Sequence, residues 1–257
     1  MVDIHSHILP GIDDGSVSMD QSLIMAEMAV ESGTTVIAAT SHSNQIGRFE
    51  NFESREYRGL YRAFTAALKE EGIPLQVARG MEIFTFDSED TVEKIRSRKL
   101  ISLNKSNNYL IEFAFDENPW TIESILREML DAGYQPIIAH PERYYCIQDN
   151  PNYLYEWRRM GAYAQMNKGS VTGRFGYECA KTAELILSHR MINCAASDTH
   201  SHEYRTPDLR ETLSYLEKHY SSETARLLLE VNPTRILMNR RILEPEPPMP
   251  VERRRWY

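Results

Sequence analysis

Seven apolar runs of strand length alternate with amphipathic helical stretches along almost the whole chain. The runs fall at residues 2–5, 35–40, 75–83, 109–113, 136–140, 162–167 and 192–197. Several are apolar nearly throughout, as parallel strands covered on both faces must be. Helical spacing occupies 19–31, 54–71, 89–98, the stretch from Pro119 to Gly133, 152–160, 177–190 and much of 207–231, and Asn232-Pro233-Thr234-Arg235 opens a last turn or two. Proline near a start and glycine just past an end mark several of these stretches. Alternation of this kind builds a parallel sheet. The chain has no Gly-x-Gly-x-x-Gly and no Walker motif, which leaves two architectures: an open doubly wound sheet or a closed, somewhat irregular barrel. Nothing reads as an internal linker, so one α/β domain is expected over 1–257. A Pro-rich stretch at 245–250 leads into a basic end, and 245–257 is expected to be an exposed tail.

The unusual polar residues fall at one kind of place on this map. In the opening run, Met1-Val2-Asp3-Ile4-His5-Ser6-His7, the two histidines are two apart, so a strand would project both imidazoles to one side. A loop rich in Gly and Asp follows, and it can fold Asp14 back over the same spot. His42 comes two residues past the second run. Glu82, Glu112 and His140 close the third, fourth and fifth, and Asp198 and His200 follow the seventh. In parallel α/β folds the C-terminal strand ends gather on one face, where active sites are built. Five of the eight histidines take such positions. His189 and His219 read as helix-end residues suited to the dipole, and His202 as an outer-shell or solvated residue.

Nine N/O donors are too many for one tetrahedral zinc and imply two or three metals with bridging carboxylates. The lack of cysteine among them favours Mn or Fe over structural zinc. Such a cluster lowers the pKa of a bridging water and neutralises an oxyanion such as phosphate. Arg143 and Arg205 lie close in sequence to His140 and His200. A guanidinium beside a polymetal centre adds positive charge to positive charge, and an anionic substrate resolves the repulsion. The competing reading pairs them with Glu142 and Glu203. Arg48, Arg79 and Arg174 are weaker candidates of the same kind and stay unassigned.

Composition narrows the function classes. A net charge of -8 argues against a general nucleic-acid binder, which needs a basic face. Cys146, Cys179 and Cys194 form neither a disulfide framework nor a zinc knuckle, and a reducing, cytoplasmic setting is expected. The chain opens without the basic region and long apolar stretch of a signal peptide, and no run approaches the ~20 apolar residues of a membrane span. Cysteine-dependent phosphoester chemistry needs Cys-x5-Arg. Six residues after the three cysteines stand Asn152, Leu185 and His200, and none is arginine.

With these residues in view, the sequence resembles the PHP (polymerase and histidinol phosphatase) superfamily. Within it, the chain is similar to the manganese-dependent protein-tyrosine phosphatases of bacterial capsule and exopolysaccharide loci, the CpsB/CapC/YwqE family. The resemblance runs from Asp3-Ile4-His5-Ser6-His7-Ile8-Leu9-Pro10-Gly11-Ile12-Asp13-Asp14-Gly15 through Ala38-Ala39-Thr40-Ser41-His42, Gly80-Met81-Glu82-Ile83, Leu110-Ile111-Glu112-Phe113, Ile138-Ala139-His140-Pro141-Glu142-Arg143-Tyr144 and Ala196-Ser197-Asp198-Thr199-His200 to Asn232-Pro233. It implies a distorted (β/α)7 TIM-like barrel (PHP fold) with a trinuclear site, preferentially Mn2+ (Fe, Zn, Co or Mg being the other options), at the C-terminal strand ends. By this resemblance His5, His7, Asp14, His42, Glu82, Glu112, His140, Asp198 and His200 match metal ligands, and Arg143 and Arg205 match phosphate-binding arginines. The implied partner is an autophosphorylated tyrosine kinase of the polysaccharide locus. The chain departs from the family at Ile83-Phe84-Thr85 and Ala114-Phe115-Asp116, loops that would shape the substrate mouth.

The activity expected is metal-dependent hydrolysis of phosphotyrosine on such a kinase, with no nucleic acid and no integral membrane segment involved. The competing readings are a small-molecule phosphatase acting on a substrate such as histidinol phosphate and a non-catalytic metal-binding partner of phosphoproteins. A urease-like amidohydrolase commonly uses Lys at the fourth strand end, where this chain has Glu112.

Overall fold

In the computed structural model, which describes residues 1–252, the runs become staves of a barrel. The strands are β1 (Val2–Ser6), β2 (Val36–Ala39), β3 (His42–Ser43), β4 (Gln76–Arg79), β5 (Glu82–Phe84), β6 (Asn108–Glu112), β7 (Gln135–Ala139), β8 (Tyr163–Asn167) and β9 (Cys194–Ala196). All pair in parallel, in the orders β1-β2-β4 and β3-β5-β6-β7-β8-β9.

Nine short strands make seven staves, because two staves are broken. The second carries β2 and then β3, and the third β4 and then β5. Across the breaks, Gly80 N donates to Ala39 O at 3.0 Å and Glu82 N to Thr40 O at 3.1 Å. The run expected over 75–83 is therefore two strands, and the second stave extends past residue 40 to take in His42. The circle closes between the first and last staves. Ser6 bridges Thr199 in parallel, Asp198 N donates to His5 O and His7 N to Thr199 O, both at 2.9 Å. The Asp3 carboxylate also accepts from Ser197 N at 3.1 Å. This is the closed, irregular barrel and not the open sheet.

Helices α1 (Met19–Glu31), α2 (Arg55–Glu70), α3 (Ser88–Arg96), α4 (Pro119–Asp131), α5 (Tyr145–Asp149), α6 (Asn152–Met160), α7 (Tyr177–Ser188), α8 (Arg210–His219), α9 (Ser222–Arg226) and α10 (Asn232–Leu237) follow the strands. Side chains of Ser18, Ser54, Asp87 and Asn118 cap α1 to α4 by accepting backbone N–H groups of the first turn. The helical stretch expected over 207–231 is interrupted: α8 and α9 are separate, and Leu227–Val231 forms a π-helical turn. The five-residue α5 is an addition to the expected set.

Alternation along the strands sorts the core into two layers. Ile37, Ile111, Ile138, Ala164 and Ala195 face the helices and pack with Met25, Phe64, Leu126, Trp157 and Ile186. Their neighbours Ala38, Leu110, Ile137, Cys194 and Ala196 form a separate inner cluster with Leu103, Ile236 and Leu237, so α10 closes the floor of the barrel. Floor and helical layer are apolar, which leaves the opposite rim for polar chemistry.

Residues 245–252 are mostly exposed, as expected of a tail, and they are also tied down. Met249 N donates to His189 O at 2.9 Å, Val251 N to Asn152 Oδ1 at 2.8 Å, and Glu246 pairs with Arg190 at 2.6 Å. The basic end, Arg253 to Tyr257, lies outside the described residues.

Candidate metal centre

Each expected site residue sits toward the C-terminal end of a stave or in the loop beyond it. His5 lies in β1 and His7 one residue past it. Their Nε2 atoms lie 3.3 Å apart, so both imidazoles project to one side as the two-residue spacing predicts, although the pairing register shifts between Asp3 and Ser6. His42 opens β3, Glu82 opens β5 and Glu112 ends β6. His140 follows β7, Asp198 and His200 follow β9, and Asp14 comes from the loop before α1. His140 and Asp198 take left-handed backbone, with φ of 35° and 49°. This conformation costs a non-glycine residue about 1–2 kcal/mol; here it falls where the chain turns off the strand at the rim.

The structure brings all nine together. Their donor atoms form four overlapping groups: His7, Asp14, His42 and His200; His5, His140 and Asp198; His5, His7 and Glu82; His42, Glu82 and Glu112. Within each group the atoms lie within 4.8 Å of one another. Glu82 is the hub. Its Oε1 lies 3.1 Å from His5 Nε2 and 3.0 Å from His140 Nε2. Its Oε2 lies 3.3 Å from His7 Nε2 and 2.8 Å from His42 Nδ1. Asp198 Oδ1 stands 3.4 Å from both His5 and His7. Seven of the nine are buried and His200 is nearly so, its side chain 11% exposed; Asp14, with its side chain 39% exposed, faces solvent.

Three imidazoles have one nitrogen engaged by an oxygen that is not among the nine donor groups and the other turned into the cluster. His5 Nδ1 donates to Gln165 Oε1 at 2.8 Å, and His7 Nδ1 to Asp13 Oδ2 at 2.8 Å. His200 Nδ1 donates to the Asp198 carbonyl at 3.0 Å. Partners of this kind fix the tautomer and ring orientation of a ligating histidine. Asp13 is itself held by Gly15 N and His42 N, both at 3.0 Å. Gln165 passes its amide to Asn167, which in turn donates to Asp198. Asp13, Gln165 and Asn167 are the members that sequence reasoning missed. Asp13 adjoins Asp14 in the Gly- and Asp-rich loop, but Gln165 carries no local signal.

A divalent cation fits this donor set. His42 Nδ1 and Glu82 Oε2 are buried, face each other, and have no hydrogen-bond partner. An orphaned nitrogen and carboxylate oxygen among hard N/O donors are satisfied by an ion between them. The charge pattern agrees. Burial would raise the Asp198 carboxyl, yet His5 and Arg205 hold it well below the usual carboxylate range. Burial would lower the His42 imidazole, and the carboxylates of Glu82, Asp14 and Glu112 outweigh it upward.

The arginines do not pair as the competing reading had them. Glu142 turns away and accepts from Asn167 N at 2.9 Å and Ser170 Oγ at 2.5 Å. Arg205 pairs with Asp198 Oδ2, and Arg143 Nη1 lies 3.7 Å from the same oxygen. Both line a cavity of about 300 Å³ above the cluster, together with Arg48, Phe84, Ala114 and Phe115. Arg48 meets Asp14 at 3.1 Å. Arg79 pairs with Glu53 and Arg174 donates to the Tyr204 carbonyl, both away from the cluster. His202 stays outside it, 3.2 Å from the Gln21 amide; His189 binds the Leu185 carbonyl at the end of α7, and His219 stacks on Tyr215 at the end of α8.

The family described as "Capsular polysaccharide synthesis, CpsB/CapC" matches residues 1–238. The chain is 37% identical to the tyrosine-protein phosphatase YwqE of Bacillus subtilis, across 100% of this chain and 99% of that protein. It is 32% identical to the tyrosine-protein phosphatase CpsB of Streptococcus pneumoniae, across 94% and 100%. Its fold superposes with a TM-score of 0.90 and 36% identity on a chain from the crystal structures of YwqE and CpsB, described there as metal-dependent tyrosine phosphatases; 98% of this chain and 100% of that chain are covered.

Proposed function

The chain belongs to the CpsB/CapC capsular polysaccharide synthesis family, and from that premise we propose that it is a metal-dependent protein-tyrosine phosphatase. The observation that carries the reading is the junction of a nine-donor N/O cluster with two arginines at one cavity. His5, His7, Asp14, His42, Glu82, Glu112, His140, Asp198 and His200 would hold two or three divalent ions, Mn2+ first among them given the absence of thiolates. When bound, such ions acidify water and neutralise phosphate charge.

The chain's own residues do the rest. Arg143 and Arg205, with side chains 21% and 26% exposed, receive the phosphate oxygens from the cavity side. Arg205 pairs with Asp198 Oδ2 while Arg143 stands 3.7 Å from it, so Arg143 in particular has donors free for a phosphate. A phenol leaves with a pKa of about 10, so its departure needs little help from a general acid. Among the described residues at the mouth, no acid stands apart from the cluster, which favours a tyrosine ester over an alkyl one. A tyrosine on a flexible tail, as on an autophosphorylated kinase of a polysaccharide locus, reaches such a site. The free Cys146, Cys179 and Cys194 suit a reducing cytoplasm.

The test is metal-stripped protein, confirmed empty by elemental analysis, assayed on a phosphotyrosine peptide, its phosphoserine twin and histidinol phosphate before and after Mn2+ is restored. Activity returns with the metal and favours phosphotyrosine. His140→Ala or Asp198→Ala lowers kcat by roughly 10³-fold or more. Full activity without metal, or a preference for histidinol phosphate, sinks the proposal.

A further inference from the structure

The two arginines at the cavity share an aromatic partner. The Arg143 guanidinium carbon lies 4.4 Å from the Phe115 ring centroid and 4.7 Å from that of Phe175. The Arg205 guanidinium carbon lies 5.7 Å from the same Phe175 ring. Phe175 belongs to the loop between β8 and α7, and this loop is built to hold it. The chain folds back at Gly169, where an added Cβ would lie 2.9 Å from Arg174 Cδ and 3.2 Å from Phe175 Cε2. Glu142 anchors the loop's root through Asn167 and Ser170. The loop also grips the segment that carries Arg205 from both sides. Arg174 donates to the carbonyl of Tyr204, and Lys168 Nζ reaches Thr206 Oγ1 at 3.0 Å and the Asp208 carbonyl at 2.8 Å.

The chemistry of the partner matters. A carboxylate would orient a guanidinium by taking up its N–H donors and cancelling its charge. A ring face attracts the cation while leaving those donors free for an incoming oxyanion. Arg143 is in that condition: Asp198 Oδ2, at 3.7 Å, is beyond hydrogen-bond length. Arg205 keeps a buried Nε without a partner. We propose that Phe175 is a positioning residue for phosphate recognition: its ring holds the guanidinium groups of Arg143 and Arg205 at one spacing, with the Arg143 donors free and the Arg205 Nε unspent beside its pair with Asp198. The proposal rests on the reading of these two arginines as the phosphate receptors.

The test uses the full chain loaded with Mn2+ as wild type, Phe175→Leu and Phe175→Tyr. Affinity for inorganic phosphate is measured by calorimetry, with KM and kcat on a phosphotyrosine peptide and metal content alongside. In Phe175→Leu, phosphate affinity falls and KM rises by roughly 3- to 30-fold. Its kcat changes less and its metal content stays at the wild-type level. Phe175→Tyr restores most of the loss, because its ring presents the same face. Unchanged phosphate affinity and KM in the leucine variant overturn the proposal, as does a folded tyrosine variant as defective as leucine. A leucine variant that loses metal or unfolds assigns Phe175 to the scaffold and overturns it too. Wild-type protein that binds phosphate but leaves the peptide intact overturns the phosphatase reading, and the affinity comparison still decides the role of Phe175. Wild-type protein that binds no phosphate overturns both.

Discussion

His7 illustrates how much of the centre is fixed by residues that cannot touch an ion. Its ring is oriented by Asp13, and Asp13 is held by the backbone N–H of Gly15. A Cβ at Gly15 would lie 2.2 Å from the His7 carbonyl oxygen and 2.4 Å from the His7 Cβ, so only glycine lets the loop press this close. Removing the orienting carboxylate should therefore act on metal affinity without touching a donor atom. Asp13→Ala is expected to weaken Mn2+ binding by about 10- to 100-fold, the usual cost of losing such a partner. Titration against a competing chelator measures it. Wild-type affinity in this variant would mean that packing alone orients the ring.

At the scale of elements, the sequence speaks clearly where an element is long. Helices α1, α2 and α4 span 13, 16 and 13 residues, enough turns for periodicity and caps to agree. Elements of two, three and five residues, β3, β5 and α5, are too short to carry a period. Hence the second stave's continuation through His42 and the break between Arg79 and Glu82 were hidden. The cluster was legible because histidine and carboxylate at successive strand ends are unusual residue types there. Its supports were not, because Gln165 meets His5 across 160 positions and leaves no local mark. The β8–α7 loop offers a test at this scale through Lys168. Burial lowers its ammonium to about 8, from 10.5. Between those values the unfolded chain holds a proton that the folded chain has released, so this group makes stability rise with pH across the window. Urea unfolding of wild type minus Lys168→Met should show that rise, on the order of 2 kcal/mol across the window. A flat difference curve would mean that the lysine keeps its charge in the fold.

The molecule as a whole carries a charge of -8, while Arg48, Arg143 and Arg205 line the mouth. An approaching phosphopeptide thus meets long-range repulsion before short-range attraction. A phosphotyrosine peptide with lysine flanks should have a kcat/KM on the order of 3- to 10-fold above its glutamate-flanked twin at low ionic strength. The gap should close near about 1 M salt, where the screening length falls to about 3 Å. Identical rates for both peptides at low salt would show that the local arginines alone govern encounter.

The seam that completes the barrel joins Asp3 to Ser197, 194 positions later. A ribosome adding ~5–20 residues per second takes roughly 10–40 s to cover that distance. Throughout that interval the nascent chain displays His5 and His7 without Asp198 or His200. The first stave waits with one edge unpaired until residue 197 of this 257-residue chain has been translated. A chain stopped before residue 198 lacks Asp198, His200 and Arg205, so it cannot assemble the nine-donor cluster or its pair of arginines.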